Sequence, residues 1–206
     1  MALLAIVRHG QTVENARGRW LGVRDSPLTP AGRQQATALG LRLKAQGPWT
    51  AIYTSLLGRA VDTAGLLAAT LGAPVAPPDA DLREYDFGEW DGLTPAELTQ
   101  RGFWTAVRQD PEFAPPHGEG FAPAARRLAS ASQRLAAAHG GQGVVVVTHG
   151  LALAAGLALI LTADVRNVAQ YALPNAGLAL LRMDGNPGRV SRLIAMDEPV
   201  SCEMGV

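Results

Sequence analysis

Two of the chain's four histidines stand in the same local setting. Residues 2–7 form an unbroken apolar run that ends in Arg8-His9-Gly10, and the valines at 144–147 run into Thr148-His149-Gly150. An imidazole can attack phosphorus, hold a metal or move a proton, and an arginine fork fits an oxyanion. Arg59 adds a second arginine where a helical pattern begins. Two arginines, two histidines and a helix amino terminus would make a pocket for a doubly charged oxyanion, most simply a phosphoryl group. Gly10 and Gly150 would let the backbone approach that ligand with no side chain in the way.

Such a pocket admits two mechanisms. A metal on His9 and His149 could activate water, but it needs further carboxylate or histidine ligands at characteristic spacing. The chain has no H-E-x-x-H, and His117 and His139 fall in a loop and at a helix end, so no metal site is expected. In the second mechanism a neutral imidazole attacks phosphorus directly. The arginines and the other histidine then hold the equatorial oxygens, and a carboxylic acid protonates the leaving oxygen.

The elements that must position these groups follow from patterning. Short apolar runs without polar alternation suit strands buried on both faces of a mostly parallel sheet, where ligands gather at the carboxyl ends. After the loop at 11–29, Thr29 caps a helix with Pro30 in its first turn and Ala36, Leu39 and Leu43 inward; Gly47-Pro48 stops it. Residues 51–54 read as a second strand, and residues 55–57 turn into a helix carrying Arg59, with Ala60, Ala64, Leu67 and Leu71 inward. Residues 73–81 are a proline-rich connection, and 82–92 an irregular stretch dense in aromatics and acids. Thr94-Pro95-Ala96-Glu97 is a capping box, 110–123 a proline-rich loop, and 122–139 a long helix with Leu128, Ala131 and Leu135 inward. An apolar helix to Leu161 follows His149, and 176–183 with 190–196 form a hairpin around the turn at 184–188. Strands alternate with helices and no stretch resembles a linker. The expectation is one α/β domain over 1–206, a three-layer α/β/α sandwich on a mixed, mostly parallel sheet.

Composition narrows the function. The formal net charge of zero gives no electrostatic case for nucleic acid or an anionic membrane surface. Lys44 is the only lysine among 18 basic residues, so oxyanion binding falls to arginine. Cys202 stands alone, which excludes an internal disulfide and a cysteine metal cluster. Residues 151–161 are too short to span a bilayer, and no basic region precedes the first apolar run. A cytoplasmic protein with no membrane or nucleic-acid partner is expected.

The pattern resembles the histidine phosphatase superfamily, in the branch similar to cofactor-dependent phosphoglycerate mutases and their phosphatase relatives. The matching blocks run in order along nearly the whole chain: Val7-Arg8-His9-Gly10-Gln11-Thr12 with Asn15; Asp25-Ser26-Pro27-Leu28-Thr29 with Gly32; and Ser55-x-x-x-Arg59-Ala60-x-x-Thr63-Ala64. Leu82-Arg83-Glu84 with Phe87-Gly88-Glu89-Trp90 and Gly92 comes next, and Val147-Thr148-His149-Gly150 closes the series. The resemblance implies a phosphoglycerate mutase-like fold, with His9 as the nucleophile that becomes phosphohistidine and Arg8, Arg59 and His149 holding the phosphoryl group. It implies Glu84 as the general acid and then base, and Gln11, Asn15, Gly150, Arg24 and Asn175 around the substrate. By sequence alone Glu84 could instead pair with Arg83, and Arg59 with Asp62.

Two departures fall near the substrate-facing rim in the family. Leu21 stands where many relatives carry glutamine, and Gly118-Glu119-Gly120 where G-E-S is common. The segment after Glu84 goes straight to Gly88-Glu89-Trp90-Asp91-Gly92, without the basic insertion typical of mutases. The expected activity is a metal-independent phosphatase acting on a small phosphorylated metabolite, with no cofactor. A mutase, which would need 2,3-bisphosphoglycerate, is the alternative, and a non-catalytic phospho-ligand binder the third reading. Trp20 and Trp104 leave a homodimer open.

Overall fold

The computed structural model describes residues 1–185 and 191–198. Its centre is a five-stranded sheet in the order β2-β3-β1-β4-β5, comprising β1 (Ala2–Arg8), β2 (Ala51–Thr54), β3 (Gly143–Thr148), β4 (Leu178–Met183) and β5 (Arg192–Met196). The sheet is mixed and mostly parallel: β2, β3 and β1 are parallel, β4 runs antiparallel to β1, and β5, antiparallel to β4, points the same way as β1 again. Register sets Arg8 opposite Thr148, so His9 and His149 leave adjacent strands at the same level. The β4–β5 hairpin is present; residues 186–188 of its expected turn lie outside the described residues.

The unbroken apolar runs have two buried faces to fill. Leu4, Ile6, Val144 and Val146 point into one layer with α6 (Phe121–Ala138) and α7 (Gly150–Thr162). Ala5, Val7, Val145 and Val147 point into the other, with α2 (Pro30–Lys44) and α3 (Gly58–Leu71). Each fully buried aliphatic side chain is worth about 1.5–3 kcal/mol, so both faces are strongly anchored and register is fixed at the point where the histidines emerge.

Helix boundaries follow the expected signals. Thr29 accepts from Gly32 N with Pro30 in the first turn, and Gly72 closes α3 with φ 70°. The capping box of α4 (Pro95–Gln100) is made by Thr94 and Glu97. A four-residue helix, α1 (Val13–Ala16), and α5 (Phe103–Gln109) add to the expected set. Phe103, Trp104 and Val107 of α5 are buried, and Trp104 packs on Phe103, Phe121 and Trp20 at ring-centroid distances of 4.7, 6.2 and 6.2 Å. Trp104 is therefore core of its own chain, not rim packing for a dimer. Among the described residues no single helix is long and apolar enough to cross a membrane.

Candidate active site

His9 leaves β1 with its backbone N–H on Thr148 O at 3.0 Å, and the His9 and His149 rings lie 5.2 Å apart, inclined by 61°. His9 Nδ1 is 2.7 Å from Gly10 O. A carbonyl only accepts, so Nδ1 carries the proton and the Nε2 lone pair is free. No described residue hydrogen-bonds that Nε2. Burial, then Arg59 and Arg8, hold the His9 pKa well below the usual imidazole value, so the ring is neutral.

His149 is fixed on both nitrogens. Arg59 Nε, which only donates, sits 3.2 Å from its Nδ1, so Nε2 carries the proton and gives it to Ser55 Oγ at 2.6 Å. Burial and then Arg59, His9 and Arg8 press its pKa well below the ordinary value as well. The other N–H groups of Arg59 go to Arg24 O (2.6 Å) and Gly22 O (2.7 Å), and Asp25 Oδ1 lies 3.3 Å from Nη1. Its salt-bridge partner is Asp25; Asp62 pairs with Arg33 instead. Arg8 Nη1 donates to Leu173 O at 2.7 Å, and a Cβ on Gly150 would lie 3.1 Å from the Arg8 guanidinium carbon.

The expected helix amino terminus takes a different role. The first N–H groups of α3, on Gly58 and Arg59, bind the Asp25 carboxylate at 2.5 and 3.3 Å. The start of α7 is likewise occupied: Glu84 Oε2 accepts from Leu151 N (3.1 Å), and Oε1 from Ala152 N (2.7 Å) and Tyr85 N (2.8 Å). His149 sits at the cap position of α7 but its side chain makes no cap bond, and Glu84 supplies that function from outside the helix. Orphan N–H groups prefer a carboxylate close at hand to leaving the site unfilled. Glu84 is thereby brought beside the His149-Gly150 exit. Its expected alternative partner, Arg83, pairs with Glu119.

The remaining predicted residues divide. Asn15 Oδ1 accepts from Thr12 N (3.2 Å) and from Asn175 Nδ2 (3.0 Å), and Asn175 Nδ2 also reaches His9 O at 3.3 Å. Ala176, with φ 55°, donates its N–H to the same His9 carbonyl at 3.0 Å. A non-glycine residue in that region costs about 1–2 kcal/mol, which the bond to His9 offsets. Gln11 Oε1 accepts from the Thr29 hydroxyl (2.9 Å), and its backbone N–H goes to Gln35. The Arg24 side chain is exposed and lies on Asp91, with Nε 3.3 Å from Oδ2 and Nη2 2.8 Å from the Asp91 carbonyl. Its carbonyl, rather than its guanidinium, reaches Arg59.

Reading the sequence missed Arg127 and Glu119. Arg127, almost buried on α6, forms a fork with Glu119 and bonds the carbonyls of Asp81, Arg83 and Glu84. The signal was a charge spaced three residues after Ala124 and four before Ala131, both buried on the inward face of α6. Glu119, in the Gly118-Glu119-Gly120 stretch noted only for lacking the serine common in relatives, turns inward to Arg127. Among the described residues no three His, Cys, Asp or Glu gather as a metal site.

A neutral imidazole with an open lone pair, flanked by arginines and a second imidazole at a sheet's carboxyl edge, with the Glu84 carboxyl at the neighbouring strand exit, has the residue types to bind an oxyanion in an α/β protein. The description "Histidine phosphatase superfamily (branch 1)" matches residues 4–195, and the chain belongs to that family. It is 36% identical over 199 residues, 90% of this chain and 88% of the relative, to glucosyl-3-phosphoglycerate phosphatase of Mycolicibacterium vanbaalenii. It is 37% identical over 152 residues to the metal-independent phosphoserine phosphatase of Arabidopsis thaliana, covering 71% of this chain and 63% of that protein. It is 36% identical over 161 residues to a 2,3-bisphosphoglycerate-dependent phosphoglycerate mutase of Methylobacterium sp., covering 74% and 77%. The chain spans between 40% and 66% of the length of several other curated relatives it matches. Among solved structures, a mycobacterial glucosyl-3-phosphoglycerate phosphatase in complex with VO3 superposes with a TM-score of 0.81 at 33% identity, over 94% of this chain and 97% of that one.

Proposed function

We propose that the protein is a metal-independent phosphatase that hydrolyses a small organic phosphomonoester through a phosphohistidine on His9. The observation that carries this is the His9 tautomer: Nδ1–H held by Gly10 O leaves Nε2 free beside Arg59 and His149. Nε2 attacks phosphorus and the ester P–O bond breaks. The Glu84 carboxylic acid passes its proton to the leaving alkoxide oxygen. Glu84, now a carboxylate, takes a proton from water as the water oxygen attacks the phosphohistidine; the P–N bond breaks, inorganic phosphate departs and His9 is neutral again. Oε2 of Glu84 is the better placed for transfer, since it accepts one backbone N–H against two on Oε1. Arg8 and Arg59 hold the phosphoryl oxygens, His149 joins them by turning its Nε2–H from Ser55 Oγ to the ligand, and the Gly10 carbonyl supports the imidazolium formed when Nε2 is phosphorylated.

The similarity to a bisphosphoglycerate-dependent mutase supports a second reading, isomerisation. Against it, Arg19 and Arg24 of the loop beside the site are bound to Gly92 O (2.8 Å) and to Asp91, where a retained bisphosphate calls for free cations. The test follows phosphate release and 2-phosphoglycerate formation from 3-phosphoglycerate, with and without 2,3-bisphosphoglycerate, beside a panel of alkyl and aryl monoesters. Phosphate release from at least one alkyl ester, equal in chelator and in added divalent metal, is expected. Isomerisation that requires the bisphosphate and outruns release would make the protein a mutase.

A further inference from the structure

We infer that Arg127, locked to Glu119, is a positioning residue for proton transfer by Glu84; this rests on Glu84 being the acid. The arginine spends all five of its N–H groups. Nε donates to Glu119 Oε1 (3.0 Å) and Nη2 to Oε2 (2.7 Å), a bidentate fork. The other three go to main-chain carbonyls: Nη1 to Asp81 O and Arg83 O, both 2.9 Å, and Nη2 to Glu84 O at 3.3 Å. A buried ion pair is weak evidence for stability, and an ion pair alone needs only the fork. The surplus donors grip the short segment that carries Glu84.

The grip is continued by backbone. Glu119 N donates to Asp86 O (2.9 Å) and Glu89 N to Pro116 O (3.0 Å), so the strand of loop holding Glu119 is zipped to the segment just beyond Glu84. Glycine is required for this approach at residue 118, where a Cβ would lie 2.6 Å from Asp86 O. Arg83 adds its own contact to Glu119 at 3.3 Å. The Glu84 carboxyl is held from in front by the start of α7 and its main chain from behind by Arg127. A proton-transfer group has to be held within about 0.5 Å of its productive place, and a two-sided mount of this kind achieves that. Lysine cannot replace Arg127, because an ammonium cannot form the planar fork and reach three carbonyls together.

Leaving-group dependence tests the role. p-Nitrophenolate departs without a proton, whereas an alkoxide needs one, so loss of acid placement lowers kcat/KM for alkyl esters and spares the aryl ester. Arg127→Lys and Glu119→Gln are compared with wild type on p-nitrophenyl phosphate and on the alkyl ester that wild type turns over fastest, with folding checked by circular dichroism. Glu84→Gln serves as the reference. Arg127→Lys is expected to lower kcat/KM about tenfold or more on the alkyl ester and less than about threefold on the aryl ester, with Glu119→Gln in the same direction. A parallel fall on both esters, or none, while Glu84→Gln shows the selective loss, overturns the positioning role and leaves Glu84 as the acid. A Glu84→Gln variant without selective loss defeats the acid assignment itself and this inference with it. Should Arg127→Lys not fold, Glu119→Gln decides by the same criterion.

Discussion

His9 and His149 leave neighbouring parallel strands at the same level, each followed by glycine, yet the protein holds them in opposite ways. His9 is tied at one nitrogen, by the carbonyl of the very next residue, and keeps Nε2 open. His149 is tied at both, by Arg59 on Nδ1 and Ser55 on Nε2. An imidazole with a free lone pair can attack phosphorus, whereas one whose lone pair accepts from Arg59 can only donate its remaining proton. Two copies of one local pattern thus become an open imidazole and a held one, and what holds the second are partners far away in sequence.

The largest test of that contrast is deletion of each ring. His9→Ala is expected to lower kcat by at least about 10⁴-fold, because the proposed nucleophile is lost. His149→Ala should lose about 10²–10³-fold, the scale of removing one charge-stabilising group. Equal losses in steady-state assays, or phosphoenzyme trapped from His9→Ala by acid quench, would break the asymmetry. The next effect is on stability. Ser55→Ala leaves the buried His149 Nε2–H without its acceptor, which costs about 1–3 kcal/mol, read as a lower melting temperature; an unchanged melting point would mean the Ser55 contact holds nothing.

The smallest effect is on pH, and it treats the two rings alike. Both are held neutral by burial and the neighbouring arginines, well below the ordinary imidazole value. In the unfolded chain they take up protons near pH 6.5 that the folded chain refuses. Their contribution to stability is therefore full above that value and is lost as pH falls below it. The acid limb of kcat/KM should lie below the ordinary imidazole range, because His9 stays unprotonated through it. A limb centred at the ordinary value would show that His9 is solvated rather than enclosed.

Much of the site was legible in the residues. Arg8, His9, Arg59 and His149 were marked by apolar runs and a helix start, and the register of β1 and β3 brings the histidines together as expected. Glu84 is different. Residues 82–92 show no period, so its place came from resemblance rather than patterning. That it closes the start of α7 appears only when Leu151 and Ala152 are brought to it. The helix terminus expected to face an oxyanion proved to be closed by Asp25, since nothing in local spacing tells which carboxylate reaches an orphan N–H. Arg24 was read as a substrate contact, but exposed side chains are placed by partners such as Asp91. α5 was missed because its few apolar positions, Phe103, Trp104 and Val107, are too short a run to establish a helical period.

By itself, then, the sequence determined the buried strands, the capped helices and the residue types able to bind and transfer a phosphoryl group, because burial and helix termination depend on neighbours along the chain. The tertiary structure decided which histidine is open and which is held, where Glu84 docks, and that Arg127 and Glu119 brace it. Apart from the His9–Gly10 bond and the Arg127–Glu119 fork, those are hydrogen bonds between residues tens of positions apart, and their geometry exists only once the sheet and both helix layers have closed around them.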